Sequence, residues 1–178
     1  MTAAAEAFVG GPHLLHEVHP ETATALGTLW LAVTRAGGAV GFAPDAPEDE
    51  IHAAAEQAIE DVRAERQQLI VIGADDVFIG TVFLRRGAGP VVAHRATVLR
   101  LMVHPDLQGR GWGKALLDAA VAHATDLGLE QLRLSVRGGT DLLTFYPKLG
   151  WTEVGVFPAA LRLGPGDVRD EHWFQLQL

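Results

Sequence analysis

"HPDLQGRGWGKALLDAA" (104–120) is the stretch on which the fold turns. A proline-led loop passes through Gly109, Gly111 and Gly113 and enters a helix. Leu116, Leu117, Ala120, Val121, Ala124 and Leu127 then recur at helical spacing, so one face is anchored and only the first turn is open to a ligand. That first turn carries N–H groups without intrahelical partners and the positive end of the helix dipole, which suits an anion. Glycines let the backbone come close to a bulky diphosphate. Gln108, Gly109, Arg110, Gly111, Trp112 and Gly113 supply such a nest, with Arg110 and Lys114 as further positive donors. Two other glycine loops are excluded. The nucleotide phosphate loop requires Ser or Thr after Gly-Lys, and here Ala115 follows Lys114. The dinucleotide fingerprint requires wider glycine spacing and an acidic residue at the end of the next strand, and "QLRLSV" (131–136) has none.

Outward from this stretch, strands and helices alternate. "LIVIGA" (69–74), "VFIGTVFLRR" (77–86) and "VVAHRATVLRLMV" (91–103) read as strands, with Asp75–Asp76 and "GAGP" (87–90) as turns. Downstream, "QLRLSV" is a strand, "DLLTFYPKL" (141–149) a short helix, and "WTEVGVF" (151–157) and "HWFQLQL" (172–178) are strands around a turn at "GPGD" (164–167). Upstream, "HLLHEV" (13–18) is a short strand. A helix from Pro20 puts Leu26, Leu29, Trp30 and Val33 on one face and ends at Gly37–Gly38. A second helix carries Ile51, Ala55, Ile59 and Val62, its start marked by Asp45 and Glu48 as a capping-box variant. The pattern predicts one α/β domain over 13–178, with 1–12 a disordered N-terminal stretch.

Composition narrows the function. The 178 residues carry a net charge of −8, a field that repels phosphate backbones, so no nucleic-acid partner is expected. With no cysteine there is neither a disulfide nor a thiolate metal site nor a cysteine nucleophile. His13, His16 and His19 would alternate faces of a strand, so no metal is expected there. "MTAAAEAFVGG" lacks the basic start and apolar core of a signal peptide, and no apolar run reaches the roughly 20 residues that cross a bilayer. A cytoplasmic protein with no membrane partner is expected.

Gln-x-x-Gly-x-Gly after a strand ending in "MVHP" resembles the acetyl-CoA motif of the GNAT superfamily of N-acetyltransferases. "LRLMVHPDLQGRGWGKALL" resembles that family's most distinctive segment throughout, and "LLTFYPKLGWTEVG" its next one. Within the superfamily, "GGAVGF" (37–42), "HRATVLRLMV" and the stretch after Tyr146 are most similar to the tabtoxin-resistance acetyltransferase branch. The likeness runs over nearly the whole chain from residue 13 and is strongest from 94 to 158.

The resemblance implies an acyl-CoA N-acyltransferase fold: a mixed, mostly antiparallel sheet of six to seven strands, splayed between strands 4 and 5 and flanked by about four helices. Backbone groups of Leu101, Met102 and Val103 would hydrogen-bond the pantetheine arm of acetyl-CoA, and amides from Gln108 or Gly109 to Lys114 would hold its pyrophosphate. Tyr146, the only tyrosine, matches the family's general acid, which protonates the departing sulfur. The implied reaction is direct transfer of the acetyl group to a primary amine of a small molecule, amino-acid-like or toxin-like, with no metal. The general base is less defined. Thr97 and Ser135 stand where relatives have carboxylates, leaving His94, Glu17 or a water relay. Phe42 and Trp30 either line the acceptor pocket or pack beneath a loop. Arg85 and Arg86 are either solvated charge or bind a substrate carboxylate. A homodimer is a further expectation. The alternative reading is a catalytically degenerate acetyl-CoA-binding module, kept for sensing or partner binding.

Overall fold

The computed structural model describes residues 10–74 and 76–178. Seven strands form one sheet: β1 (His13–Leu14), β2 (Gln68–Ala74), β3 (Val77–Arg86), β4 (Arg95–Val103), β5 (Gln131–Arg137), β6 (Thr152–Gly164) and β7 (Asp167–Gln177). Their order across the sheet is β1-β2-β3-β4-β5-β7-β6. Four helices flank it: α1 (Thr22–Arg35), α2 (Glu48–Arg63), α3 (Trp112–Asp126) and α4 (Leu142–Lys148).

Alternation along the central strands divides the core in two. Ile70, Ile72, Val82, Leu84, Val98, Leu132 and Leu134 pack against α3 and α4. Leu69, Val71, Phe83 and Met102 pack against α1 and α2. Both faces are covered, so these strands read as nearly continuous apolar runs. Each fully buried Leu, Ile or Phe stabilises the fold by about 1.5–3 kcal/mol relative to exposure.

Every strand pair is antiparallel except β4 with β5. That parallel pairing lasts only from Arg95–Thr97 against Gln131–Arg133, after which the two strands part. β5 stays paired along its whole length with β7, so the far half of β4 presents a bare backbone edge to the gap. A bulge marks the same place. Between Thr81 and Phe83, two residue steps on β3 face three on β4, from Met102 to Leu99. Arg100 sits in the bulge with φ +50°, a conformation few non-glycine residues adopt.

Several expected boundaries shift. β1 keeps only His13–Leu14 of the expected 13–18. Residues 90–92 form a 3₁₀ turn opened by Pro90, whose fixed φ and missing N–H keep it out of a ladder, so β4 starts at Arg95. α2 is capped by Pro47, not Asp45; no side chain caps it, and Glu48, Asp49 and Glu50 face its positive end instead. β6 and β7 run well beyond the expected segments because β6 is an exposed edge, where no buried face imposes an alternating pattern. Of the expected disordered stretch 1–12, residues 10–12 are irregular and the remainder lies outside the described residues, as does Asp75.

Candidate active site

The loop after β4 is held by its own side chains. Gln108 Nε2 donates to Val103 O at 3.0 Å, and the His104 ring accepts from the Asp106 amide at 3.4 Å. Gly109 and Gly111 have φ of +74° and +86°, and a Cβ built on either would meet no atom within 4 Å. Glycine is required here by the backbone angle, and the space beside it is open. Gly80 differs: a Cβ there would lie 2.9 Å from Leu116, so that glycine is required by packing. Gly111 caps α3, and the first bond into the helix is from Ala115 N to Gly111 O at 3.0 Å. The amides ahead of Ala115 belong to the helix's open first turn.

Leu101, Met102, Val103, Gln108, Gly109, Gly111, Trp112, Gly113 and Lys114 line one groove of about 610 Å³. The opposite wall is Val33 and Gly37–Val40 on one side, and Thr140, Asp141, Leu142 and Phe145 on the other. Arg110 lies on the loop but does not line the groove. Lys114 Nζ pairs with Asp118 along the helix at 2.5 Å, and Trp112 packs its partly buried ring against the α3-side core.

A second cavity, about 410 Å³, adjoins the groove through Ala39, Val40, Leu101 and Leu142. Its wall holds Trp30, Phe42, Leu99, Arg100, Ser135 and Tyr146. Trp30 and Phe42 meet edge to face, with centroids 5.6 Å apart, and Trp30 Nε1 donates to Val40 O at 2.9 Å. The loop between α1 and α2 is pinned from both sides. Arg35 donates to the carbonyls of Pro44 and Ala46, and Arg137 Nη2 reaches from β5 to Gly37 O at 2.8 Å.

Tyr146 lines the second cavity, one helical turn from Leu142, which that cavity shares with the groove. It is 5% exposed, its ring wedged among Phe145, Trp151 and Phe174. Burial pushes its hydroxyl above the ordinary phenol range. It makes no side-chain hydrogen bond among the described residues, which leaves the proton available to a ligand. Its neighbour Phe145 faces the groove instead.

The sequence did not single out Arg100. The bulge swings it over Trp30, 4.8 Å from the ring centroid, and over Phe83 at 5.4 Å. One of its guanidinium nitrogens, Nη1, is buried without a partner, and burial, with Arg85 second, lowers its pKa. A positive φ on a non-glycine residue is invisible to periodicity.

His94, the sequence candidate for the base, is exposed and lies just ahead of β4, at the opposite end of that strand from Val103. Seven residue steps, one of them taken up by the bulge, put it roughly 20 Å from Leu101, where the groove begins on that strand. Glu17 is exposed as well and lines neither cavity. Thr97 accepts from Arg133 Nε at 3.0 Å. No carboxylate or imidazole lines the cavity beside Tyr146. No group of three potential metal ligands occurs among the described residues, and none of their helices is long and apolar enough to cross a membrane.

The family pattern described as "Acetyltransferase (GNAT) domain" matches residues 38–157. A segment of 70 residues is 40% identical to the mycothiol acetyltransferase of Propionibacterium freudenreichii, covering 36% of this chain and 22% of that protein. The chain thus matches about a fifth of the length of that curated relative. In three dimensions it resembles an acetyltransferase of the GNAT family from Streptococcus pneumoniae, with TM-score 0.72, 18% identity and coverage of 93% and 100% of the two chains. It also resembles the Sinorhizobium meliloti phosphinothricin acetyltransferase, solved in complex with AcCoA, with TM-score 0.71, 18% identity and coverage of 95% and 89%.

Proposed function

The chain belongs to the GNAT acetyltransferase domain family, and from that premise we propose that it is a cytoplasmic enzyme moving the acetyl group of acetyl-CoA directly to a primary amine of a small molecule, with Tyr146 as general acid. The observation that carries this reading is the meeting of a backbone-lined groove and a side-chain-lined cavity at Leu101 and Leu142, one turn of α4 ahead of Tyr146.

Acetyl-CoA supplies the activated acetyl group. Its pyrophosphate lies over the open first turn of α3, at the amides from Gly109 to Lys114, and its pantetheine arm runs along the bare edge of β4 at Leu101–Val103, as a strand adds to a sheet. The amine enters from the cavity of Trp30, Phe42 and Ser135. It attacks the thioester carbonyl, whose developing negative charge is met by a backbone N–H of Met102 or Val103. The carbon–sulfur bond breaks as the carbon–nitrogen bond forms, and the Tyr146 hydroxyl gives its proton to the departing sulfur. No cysteine exists to carry the acetyl group, so transfer is direct.

The amine must arrive neutral. Arg100 supplies part of that condition, because a guanidinium beside the entering nitrogen disfavours the ammonium form. Water in the cavity takes the remaining proton. The lack of a carboxylate beside Tyr146 favours a second reading, an acetyl-CoA-binding module without turnover.

One pair of measurements separates them. Acetyl-CoA and CoA should raise the melting temperature where NAD and ATP at equal concentration do not, and thiol release over a panel of amines should then detect transfer. Stabilisation without transfer to any amine supports the module; no stabilisation defeats both readings.

The tabtoxin-resistance branch is the subdivision that "GGAVGF" and "HRATVLRLMV" support. A homodimer through β6 is supported by its long exposed edge, where Val154 and Phe157 are more than half exposed. Sedimentation across a concentration series tests it, and a monomer throughout refutes it.

A further inference from the structure

A further cavity of about 370 Å³ shares Leu99, a residue of the α1–α2 side of the sheet, with the acceptor cavity. Four arginines line it: Arg85 and Arg86 from the end of β3, Arg95 from β4 and Arg133 from β5, together with Thr97 and Trp173. No carboxylate lines it. Arg85, Arg86 and Arg95 have no ion pair or side-chain hydrogen bond among the described residues. Asp61, whose charge reaches Arg85, is bound to Arg66 Nη2 at 2.6 Å.

Arg133 is held in place. Its Nε donates to Thr97 Oγ1 at 3.0 Å, and its guanidinium lies 5.4 Å from the Trp173 ring centroid. Those contacts fix the plane of the fork while its two Nη groups make no bond among the described residues. Trp173 Nε1 is itself buried without an acceptor.

This arrangement is unusual for the chain that carries it. With 22 acidic residues against 14 basic ones, partners for arginine are in surplus, yet four arginines share one acid-free cavity. Arg85 and Arg86 are exposed and Arg95 and Arg133 half-buried, so an anion would relieve the crowding of like charges at the cavity mouth, and the planar guanidinium fork matches the oxygens of a carboxylate or phosphate.

We propose that this cavity is an oxyanion site that holds the carboxylate or phosphate end of the acceptor while its amine reaches Tyr146; the assignment of the anion to the acceptor rests on the acetyl-transfer reading above. Spacing defines the acceptor further. On β5, Ser135 lines the amine's cavity and Arg133 the anion's, two steps apart, or about 7 Å. Because separate cavities hold the two ends, the acceptor class proposed is an ω-amino carboxylate or aminoalkyl phosphate, longer than an α-amino acid.

The test compares the wild type with an Arg85→Gln/Arg95→Gln double variant. Thiol release is measured for ω-amino acids and aminoalkyl phosphates of increasing length, each beside the uncharged amine of equal length. The wild type should favour the anionic member at least 10-fold in kcat/KM, with an optimum at intermediate length, and the variant should bring that ratio close to one. Inorganic phosphate, with chloride at equal ionic strength as control, is titrated by calorimetry. It should bind the wild type at least 10-fold more tightly than the variant and compete with the acceptor. Equal phosphate affinity in both proteins overturns the site, whether or not any amine is acetylated. Phosphate binding that leaves the acceptor KM unmoved overturns the assignment to the acceptor, and so does a length series without an optimum. Stabilisation by acetyl-CoA, measured on both proteins, reports separately on the acetyl-transfer reading and confirms that the variant is folded.

Discussion

Along the donor side of the cleft, the strand end at Leu101–Val103 and the loop from Gln108 to Lys114 form one continuous run of chain, and what they offer is backbone: a bare strand edge and the open first turn of α3. Across from it, Trp30, Phe42, Arg100, Ser135 and Tyr146 come from five separate segments and offer side chains. The two halves therefore differ in what can change. A site of N–H groups tolerates almost any side chain provided the dihedral angles hold, so it is suited to a ligand that stays the same. A site of side chains is remade by single substitutions, so it is suited to setting which amine enters. Breaking each half separately tests that division.

The largest effect is expected beside the junction. Tyr146→Phe keeps the ring among Phe145, Trp151 and Phe174 and removes only the hydroxyl. Turnover should fall by roughly 10²–10⁴, the usual worth of a general acid, with the acetyl-CoA KM little changed. Near-wild-type turnover with chemistry rate-limiting would remove Tyr146 from that role.

On the donor half, Gly111→Val places a β-branched residue at φ +86° and a side chain in the open space above the loop. A ligand at 100 times its dissociation constant stabilises the folded state by about 2.7 kcal/mol. The variant should lose that shift in calorimetry; retaining it would show that the loop does not hold the pyrophosphate.

On the acceptor half, Arg137→Ala frees Gly37 from β5 and loosens one wall. The acceptor KM should rise by at least about 10-fold, as expected from losing the roughly 1.5–3 kcal/mol of a hydrogen bond from a charged donor, while the acetyl-CoA shift persists. Equal damage to both halves would mean that the loop between α1 and α2 supports the whole cleft.

The smallest signal is a flat one. Burial raises the Tyr146 hydroxyl above its ordinary value, so the folded protein keeps a proton that the unfolded chain loses near pH 10. The associated stability is present below about pH 10 and lost as pH rises beyond it. Because Tyr146 is the only tyrosine, tyrosinate absorbance reports on it alone. The band should appear only with unfolding, and Tyr146 should impose no basic limb on turnover below pH 10. Reversible ionisation of the folded protein below pH 10 would show that the hydroxyl is solvated.

The same division explains what could be read from the sequence. The glycines of 109–113 and the stripe from Leu116 to Leu127 are local signals, and so the groove and its flanking elements were legible. The family resemblance added Tyr146 and the splay between β4 and β5. Arg85 and Arg86 stood out as candidates for binding a carboxylate, but Arg100 and the joining of Arg95 and Arg133 to that pair were not legible, because their meaning depends on which residues of distant strands become neighbours. His94 shows the converse. It adjoins Arg95 in sequence but lines none of the three cavities, and the run of β4 separates it from the groove. Asp45 failed for a local reason, since Pro47 already fixes the start of α2.

The bulge at Arg100 is a change of phase in β4. Ahead of it, Ala96 and Val98 point into the α3-side core and Leu99 to the other side; beyond it, Val103 points to α3 and Met102 away. Even positions become odd ones across a single inserted residue. Deleting that residue would leave every neighbour on its present face: Val98, Leu101 and Val103 toward α3, and Leu99 and Met102 toward the other helices, now in plain alternation. What would go is the bend in the strand and the guanidinium over Trp30. The one extra residue thus adds a charged side chain to a wall that an unbroken strand would fill with Leu99 and Leu101 alone.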